Sequence, residues 1–399
     1  MSWRYYFLDY EKLSGYCYFM RKIIRRLFSL NLPKNRSAFL WGPRKVGKSH
    51  WITHTLKPPI LIDFLKTDVF ADYASRPSLL RERYQYHKGL LVIDEVQKVP
   101  DILDEVHWLI EHSALSFLLT GSSARKLRRG SANLLGGRAW RKTMVPLSYL
   151  EVEGFDLAHI MISGLLPSHF LSPDPVEDLR AYVSDYLKEE IAAEALTQNI
   201  PAFRTFLQVA AMSSSELINY TNIARETGVS HKVVRTYFDI LEDTYLCVRL
   251  PPWKKSKNRR MILTEKFYLF DVGVTNYLAR RQPLPGSMEF GKSFEQYVLM
   301  ELRAYQAYHN PDVPLSYWRT STGQEVDFIV GDKDLAIEVK GSSRVHEGDV
   351  RSLHALKDDG PVKRRLVVCL EKERRAMGKD IDIIPWDDFI RSLWGGEFI

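Results

Sequence analysis

The 399 residues of this chain are 45% hydrophobic and 26% charged, the make-up of a globular protein with room for two or three cores, which excludes fibrous and low-complexity classes. The longest uncharged run, Leu157 to Pro173, contains His159, Pro167 and His169 and is too polar to span a bilayer, so no membrane role is expected. A formal net charge of +7 favours an anionic partner, nucleic acid first.

Cys17, Cys247 and Cys369 lie far apart and form no disulfide or metal-binding pattern, while Arg4, Asp9, Glu11 and Lys12 interrupt any leader. Both features suit a reducing cytosol, and a cytoplasmic location is expected. Met1 to Phe19 is aromatic without clean periodicity, whereas Met20 to Phe28 reads as a basic amphipathic helix. Residues 1–36 are therefore expected to form an N-terminal extension and basic helix, with Met20 a second candidate start.

Residues 37–150 alternate short apolar strands with helical segments, the pattern of a parallel βα sheet. Strands are expected at Ala38 to Trp41, Ile60 to Phe64, Leu90 to Ile93, Ser116 to Thr120 and Trp140 to Val145. The first runs into Gly42-Pro43-Arg44-Lys45-Val46-Gly47-Lys48-Ser49, a phosphate loop by spacing. Four residues between the glycines let the chain curl so that backbone amides face a phosphate, and only Gly permits so close an approach. Lys48 would reach the β- and γ-phosphates of ATP, and Ser49 would ligate Mg2+.

Gly89 to Glu95 is an apolar run closed by two carboxylates, the form in which a buried strand delivers acids to a sheet edge. Asp94 is expected to hold Mg2+ through water, and Glu95 to orient or deprotonate the attacking water. Thr120 or Ser122 would sense the γ-phosphate, although Thr120-Gly121-Ser122-Ser123 makes an equally good turn. Arg125-Lys126-Leu127-Arg128-Arg129 reads as a solvated basic run. Arg138 follows Gly136 and Gly137, a backbone free enough to project a guanidinium to a neighbouring subunit as an arginine finger.

The phosphate loop, Val92-Ile93-Asp94-Glu95, Thr120-Gly121-Ser122-Ser123, Gly137-Arg138 and the stretch from Pro146 to Glu151 resemble the AAA-type ATPase family of bacteria and archaea that carries a C-terminal domain of unknown function. The resemblance implies a homo-oligomer, a hexamer or other ring or a dimer. It implies no settled substrate.

Residues 151–202 have helical spacing at Leu179, Tyr182, Val183, Tyr186, Leu187 and Ile191, read as a helical lid over the nucleotide. In residues 203–264, Thr221 to Ser230 followed by Val233, Val234, Tyr237, Phe238 and Leu241 matches a helix-turn-helix turning at Gly228 and capped by Ser230. Arg225, His231, Lys232 and Arg235 would face DNA, and Lys254, Lys255, Lys257, Arg259 and Arg260 would form a basic wing before a strand at Met261 to Leu263. Together these make an expected winged helix.

Residues 265–399 carry Glu325 to Val330, a turn at Gly331-Asp332-Lys333, and Leu335 to Lys340, an expected hairpin. Period-two alternation sets Asp327, Glu338 and Lys340 on one side, with Glu295 on the preceding helix. Acids with a nearby Lys suit metal-dependent phosphodiester cleavage. These positions resemble the restriction-endonuclease-type PD-(D/E)xK superfamily, with Val326 where its Pro stands; the resemblance implies Mg2+ at Glu295, Asp327 and Glu338 beside Lys340.

The expected protein is thus α/β: a P-loop parallel-sheet ATPase with a helical lid, a winged helix and a restriction-endonuclease-like C-terminal domain. It would bind and hydrolyse ATP and remodel DNA, branched or damaged DNA being one guess, with the last domain gripping rather than cutting. The alternatives are an ATP-gated magnesium-dependent nuclease and a protein-remodelling or signalling ATPase without a nucleic-acid role.

Overall fold

The computed structural model describes residues 24–123, 127, 135–186, 199–253 and 262–399. Strands β1 (Ser37–Trp41), β2 (Ile60–Asp63), β3 (Lys88–Asp94), β4 (Ala114–Gly121) and β5 (Ala139–Thr143) form one parallel sheet in the order β2-β3-β4-β1-β5. Helix α1 (Lys48–Trp51) follows the first strand and continues as a π turn to Leu56; α2 (Thr67–Ser75), α3 (Leu79–Tyr84) and α4 (Ile102–His112) complete this layer.

Alternation along β1 divides its side chains between two cores. Phe39 and Trp41 pack with Val106 and Leu109 of α4, whereas Ala38 and Leu40 join Phe203 and Tyr237 from the following domain. A strand buried on both faces has to be apolar throughout, which is why these segments read as continuous hydrophobic runs.

The chain then forms α5 (Leu157–Ser163), α6 (Pro167–Phe170), α7 (Pro175–Ala181) and α8 (Ile200–Met212), and after them α9 (Tyr220–Thr227) and α10 (His231–Asp243). Asn219 caps α9 by accepting from the Asn222 amide, Gly228 takes the turn at φ +66°, and Ser230 caps α10 by accepting from Val233. Val234, Phe238 and Leu241 bury one side of α10. Beside this helix-turn-helix lie β6 (Glu216–Leu217), β7 (Cys247–Leu250) and β8 (Lys266–Leu269), antiparallel in the order β6-β8-β7, followed by α11 (Val272–Ala279).

The last layer starts with the long α12 (Met288–Tyr308). A six-stranded mixed sheet follows, formed by β9 (Leu315–Arg319), β10 (Glu325–Val330), β11 (Leu335–Lys340), β12 (Arg364–Cys369), β13 (Arg375–Met377) and β14 (Ile381–Pro385) in the order β13-β14-β12-β11-β10-β9. Helices α13 (Arg351–Leu356) and α14 (Trp386–Trp394) pack on it. The β10–β11 hairpin is present as its sequence pattern predicts.

Two expectations are corrected. Where a basic helix was expected from Met20 to Phe28, the described part from Ile24 onward is not helical, because Arg26 and Phe28 are drawn into separate buried contacts. The strand expected at Met261 to Leu263 is absent at Ile262 and Leu263; the strand that pairs with β7 is β8, where Lys266, Phe267, Tyr268 and Leu269 are all buried. The basic run Arg125, Lys126, Arg128 and Arg129, the wing residues Lys254, Lys255, Lys257, Arg259 and Arg260, and the far part of the expected lid at 187–198 lie outside the described residues. Among the described residues no helix is long and apolar enough to cross a membrane.

Candidate nucleotide site

The loop after β1 winds around its own lysine. Lys48 is only 5% exposed, and its Nζ donates to the carbonyls of Gly42 at 2.7 Å and Pro43 at 2.9 Å. Gly42 is irreplaceable on two counts: its φ is +149°, and a Cβ there would lie 2.1 Å from the Met144 carbonyl oxygen. Gly47, at φ +96°, turns the chain into α1 so that Lys48 and Ser49 stand at a helix N-terminus, which favours anions.

The strand order sets β4 between β1 and β3, so three sequence-distant side chains converge at the carboxyl edge of the sheet. Ser49 Oγ donates to Asp94 Oδ2 at 2.6 Å, and Thr120 donates to the other Asp94 oxygen. Ser122 is one step further out: its hydroxyl accepts from Gln97 Nε2 at 3.2 Å, and the same amide donates to Glu95. Gln97 is a residue that sequence reasoning missed, and it fits beside Gly121 only because glycine has no Cβ, which would lie 2.2 Å from Gln97 Oε1.

Glu95 is 8% exposed and sits at φ +58°, a left-handed conformation that takes its side chain out of strand alternation. Burial pushes its carboxyl above the usual range, opposed by Lys48 and reinforced by Asp94. A carboxylate with raised pKa beside a hydroxyl–carboxylate pair can accept a proton from water while the pair holds a hard cation.

Arg26, unforeseen in this role, clamps the loop from behind. Its guanidinium donates to the Val46 carbonyl inside the loop, to the Val145 carbonyl at 2.7 Å, to Glu151 at 2.9 Å and to the Tyr308 hydroxyl at 3.0 Å. The loop therefore touches α12 of the last domain through one side chain. Lys45, at the tip, lies 3.5 Å from His169 Nε2 and over the Tyr182 ring, so the segment from α6 to Tyr182 also reaches the loop. Burial and the Lys45 charge push His169 down to about 4, so it is neutral at physiological pH.

The remaining expected residues are dispersed. Arg138, 40% exposed, pairs at 2.6 Å with Glu111 of its own chain. Arg225, Lys232 and Arg235 are exposed on the helix-turn-helix, with Arg235 over the Tyr220 ring and His231 hydrogen-bonded to Thr221.

In the C-terminal sheet Asp327 and Glu338 are buried on adjacent strands. The Val339 amide donates to Asp327 at 2.8 Å, and Lys340 donates to Glu338 at 2.7 Å. Burial raises Glu338 to about 7, and burial with Glu338 and Glu295 nearby raises Asp327 well above its ordinary value. Glu295 instead meets Lys266 at 2.8 Å and the Tyr268 hydroxyl, both from β8. Among the described residues no group of three or more His, Cys, Asp or Glu is arranged to hold a metal ion.

A parallel sheet with a phosphate loop after β1 and acids at the end of β3 has the form of a P-loop domain. Family comparison agrees: residues 34–153 match the AAA domain family, residues 154–284 a domain of unknown function (DUF8612), and residues 290–389 another domain of unknown function (DUF4143). The second of these matched stretches spans α5 to α11. An uncharacterized protein of Mycobacterium tuberculosis is 25% identical over 368 residues, covering 89% of this chain and 81% of its own length. An uncharacterized protein of Methanocaldococcus jannaschii is 23% identical over 354 residues, covering 80% of this chain and 77% of its own. Among solved structures, the Aeropyrum pernix Orc1 protein in complex with DNA is 12% identical with a TM-score of 0.25, covering 63% of this chain and 87% of that one, a likeness too slight to carry any argument.

Proposed function

We propose that this protein binds and hydrolyses ATP with Mg2+ and uses the cycle to act on DNA as a homo-oligomer. One observation supports the reading above all: the hydroxyl of Ser49 and the carboxylate of Asp94 meet at 2.6 Å, directly beside the buried Glu95. A hydroxyl and a carboxylate oxygen are the donors a magnesium ion takes, so the residues fit that ion. When bound, the ion would offset negative charge on the phosphates.

In this reading Lys48 exchanges the Gly42 and Pro43 carbonyls for phosphate oxygens, and the amides from Arg44 to Ser49 cradle the chain of phosphates. Thr120 holds Asp94 in place, and Glu95, kept in position by Gln97, takes the proton of the attacking water. Arg138 reaches the nucleotide of a neighbouring copy. Its bond to Glu111 is an exposed ion pair, weak enough to exchange. Lys48→Ala is expected to raise the ATP Kd about tenfold or more by calorimetry; unchanged affinity would remove Lys48 from the phosphate site.

For DNA, the support is the exposed Arg225, Lys232 and Arg235 on a capped helix-turn-helix, together with the net charge of +7. The test is fluorescence anisotropy against duplex and branched DNA. If three side chains neutralise phosphates, affinity falls about fortyfold from about 50 to about 200 mM salt. No binding at the lower salt would favour a protein partner instead.

A further inference from the structure

The C-terminal pocket has the acids of a metal site but already holds a cation. Lys266, 2% exposed, donates to Glu295 at 2.8 Å and Glu325 at 2.5 Å and stands 3.9 Å from Asp327. It arrives from β8, outside the sheet that carries Glu325, Asp327 and Glu338. Alternation on β8 explains how: Phe267 and Leu269 enter the core shared with the helix-turn-helix, while Tyr268 enters the core beneath the C-terminal sheet. Lys266 shares the Tyr268 side, and the Tyr268 hydroxyl donates to the same Glu295.

The strand cannot simply slide away. It pairs with β7, whose continuation at Pro252 bridges to Tyr317 of β9. Lys340 and Arg319 neutralise Glu338 and Glu325 in turn, at 2.7 Å each. Among the described residues Glu338 Oε2 is buried and without a hydrogen-bond partner. As they stand, these residues do not fit a divalent ion, because the charges of Lys266, Lys340 and Arg319 already offset most of the negative charge that such an ion would need.

We propose that Lys266 is the resident cation of this pocket, keeping divalent metal out and tying β8 to α12, so that the nuclease-like module joins domains rather than cutting DNA. Exclusion follows from charge: a divalent ion about 4 Å from a fixed ammonium is disfavoured about thirtyfold even at the dielectric constant of water. The inference does not depend on ATP hydrolysis or on DNA binding.

The test is Mn2+ titration calorimetry on the full chain without nucleotide or DNA. Lys266→Met is expected to gain a site binding Mn2+ about thirtyfold or more tightly than wild type, and Lys266→Met/Asp327→Asn to lose it. Equal affinity in wild type and Lys266→Met, or no gain in a folded Lys266→Met, overturns the proposal. Should that variant fail to fold, wild-type crystals soaked in Mn2+ decide: anomalous density between Asp327 and Glu338 overturns it, and a pocket without density upholds it.

Discussion

Glu95→Gln is expected to bind ATP within about threefold of wild type and to hydrolyse it about a hundredfold or more slowly. The substitution preserves shape where shape is constrained. Glu95 is buried at φ +58°, its carboxylate held by the Gln97 amide, which is itself tied to Ser122. What changes is basicity. Because burial raises the Glu95 pKa, the wild-type rate should climb as pH rises through a value above the ordinary carboxylate range and level off once the group is ionised. Gln lacks that limb. Phosphate release and nucleotide binding, each measured across pH, check both parts. Turnover within tenfold of wild type would assign the base elsewhere.

Arg26→Met is expected to destabilise the protein by about 3–5 kcal/mol, the cost of leaving a buried partner unpaired. The Arg26 side chain is 6% exposed and that of Glu151 0%. Without the guanidinium, Glu151 keeps, among the described residues, the amides of Leu27 at 2.5 Å and Ser148 at 2.9 Å. The effect should extend to the nucleotide, because Arg26 also holds the Val46 carbonyl, and KM for ATP is expected to rise. Lys cannot replace the fork of donors that reaches Val46, Val145, Glu151 and Tyr308 together. Tyr308→Phe is the control: it removes the hydroxyl's hydrogen bonds to Arg26 and to the Val145 backbone, each worth about 1 kcal/mol, and leaves the ion pair intact. Denaturant unfolding and ATP titration separate the two variants. A melting curve for Arg26→Met like that of Tyr308→Phe would sink the clamp.

The clamp also shows how the domains are joined. Helix α12 carries Glu295 into the acidic cluster, Glu301 against Ser148 and Tyr149, and Tyr308 against Arg26, which holds the phosphate loop. Its thirteen-residue path from Glu295 to Tyr308 spans about 20 Å at helical rise. Glu301 is buried, and burial raises it to about 7, so the contact with the segment after β5 is made by a carboxyl that is partly protonated near pH 7.

The parts that could be read from sequence are those that short-range chemistry dictates. The spacing from Gly42 to Ser49, the apolar run closed by Asp94 and Glu95, the turn at Gly228 and the β10–β11 hairpin each depend on residues within about a dozen positions, and each stands where expected. What only the tertiary structure decided is which charges are buried and by whom they are met. Arg26 reads as one cation in a basic helix, yet its partners lie as far as 282 residues away at Tyr308. Lys266 gave no signal at all, since a lysine at the start of a strand is ordinary until Glu295, Glu325 and Asp327 close around it. The physical reason is that a buried charge is stable only with its counter-charges, and those are supplied by folding rather than by neighbours in the chain.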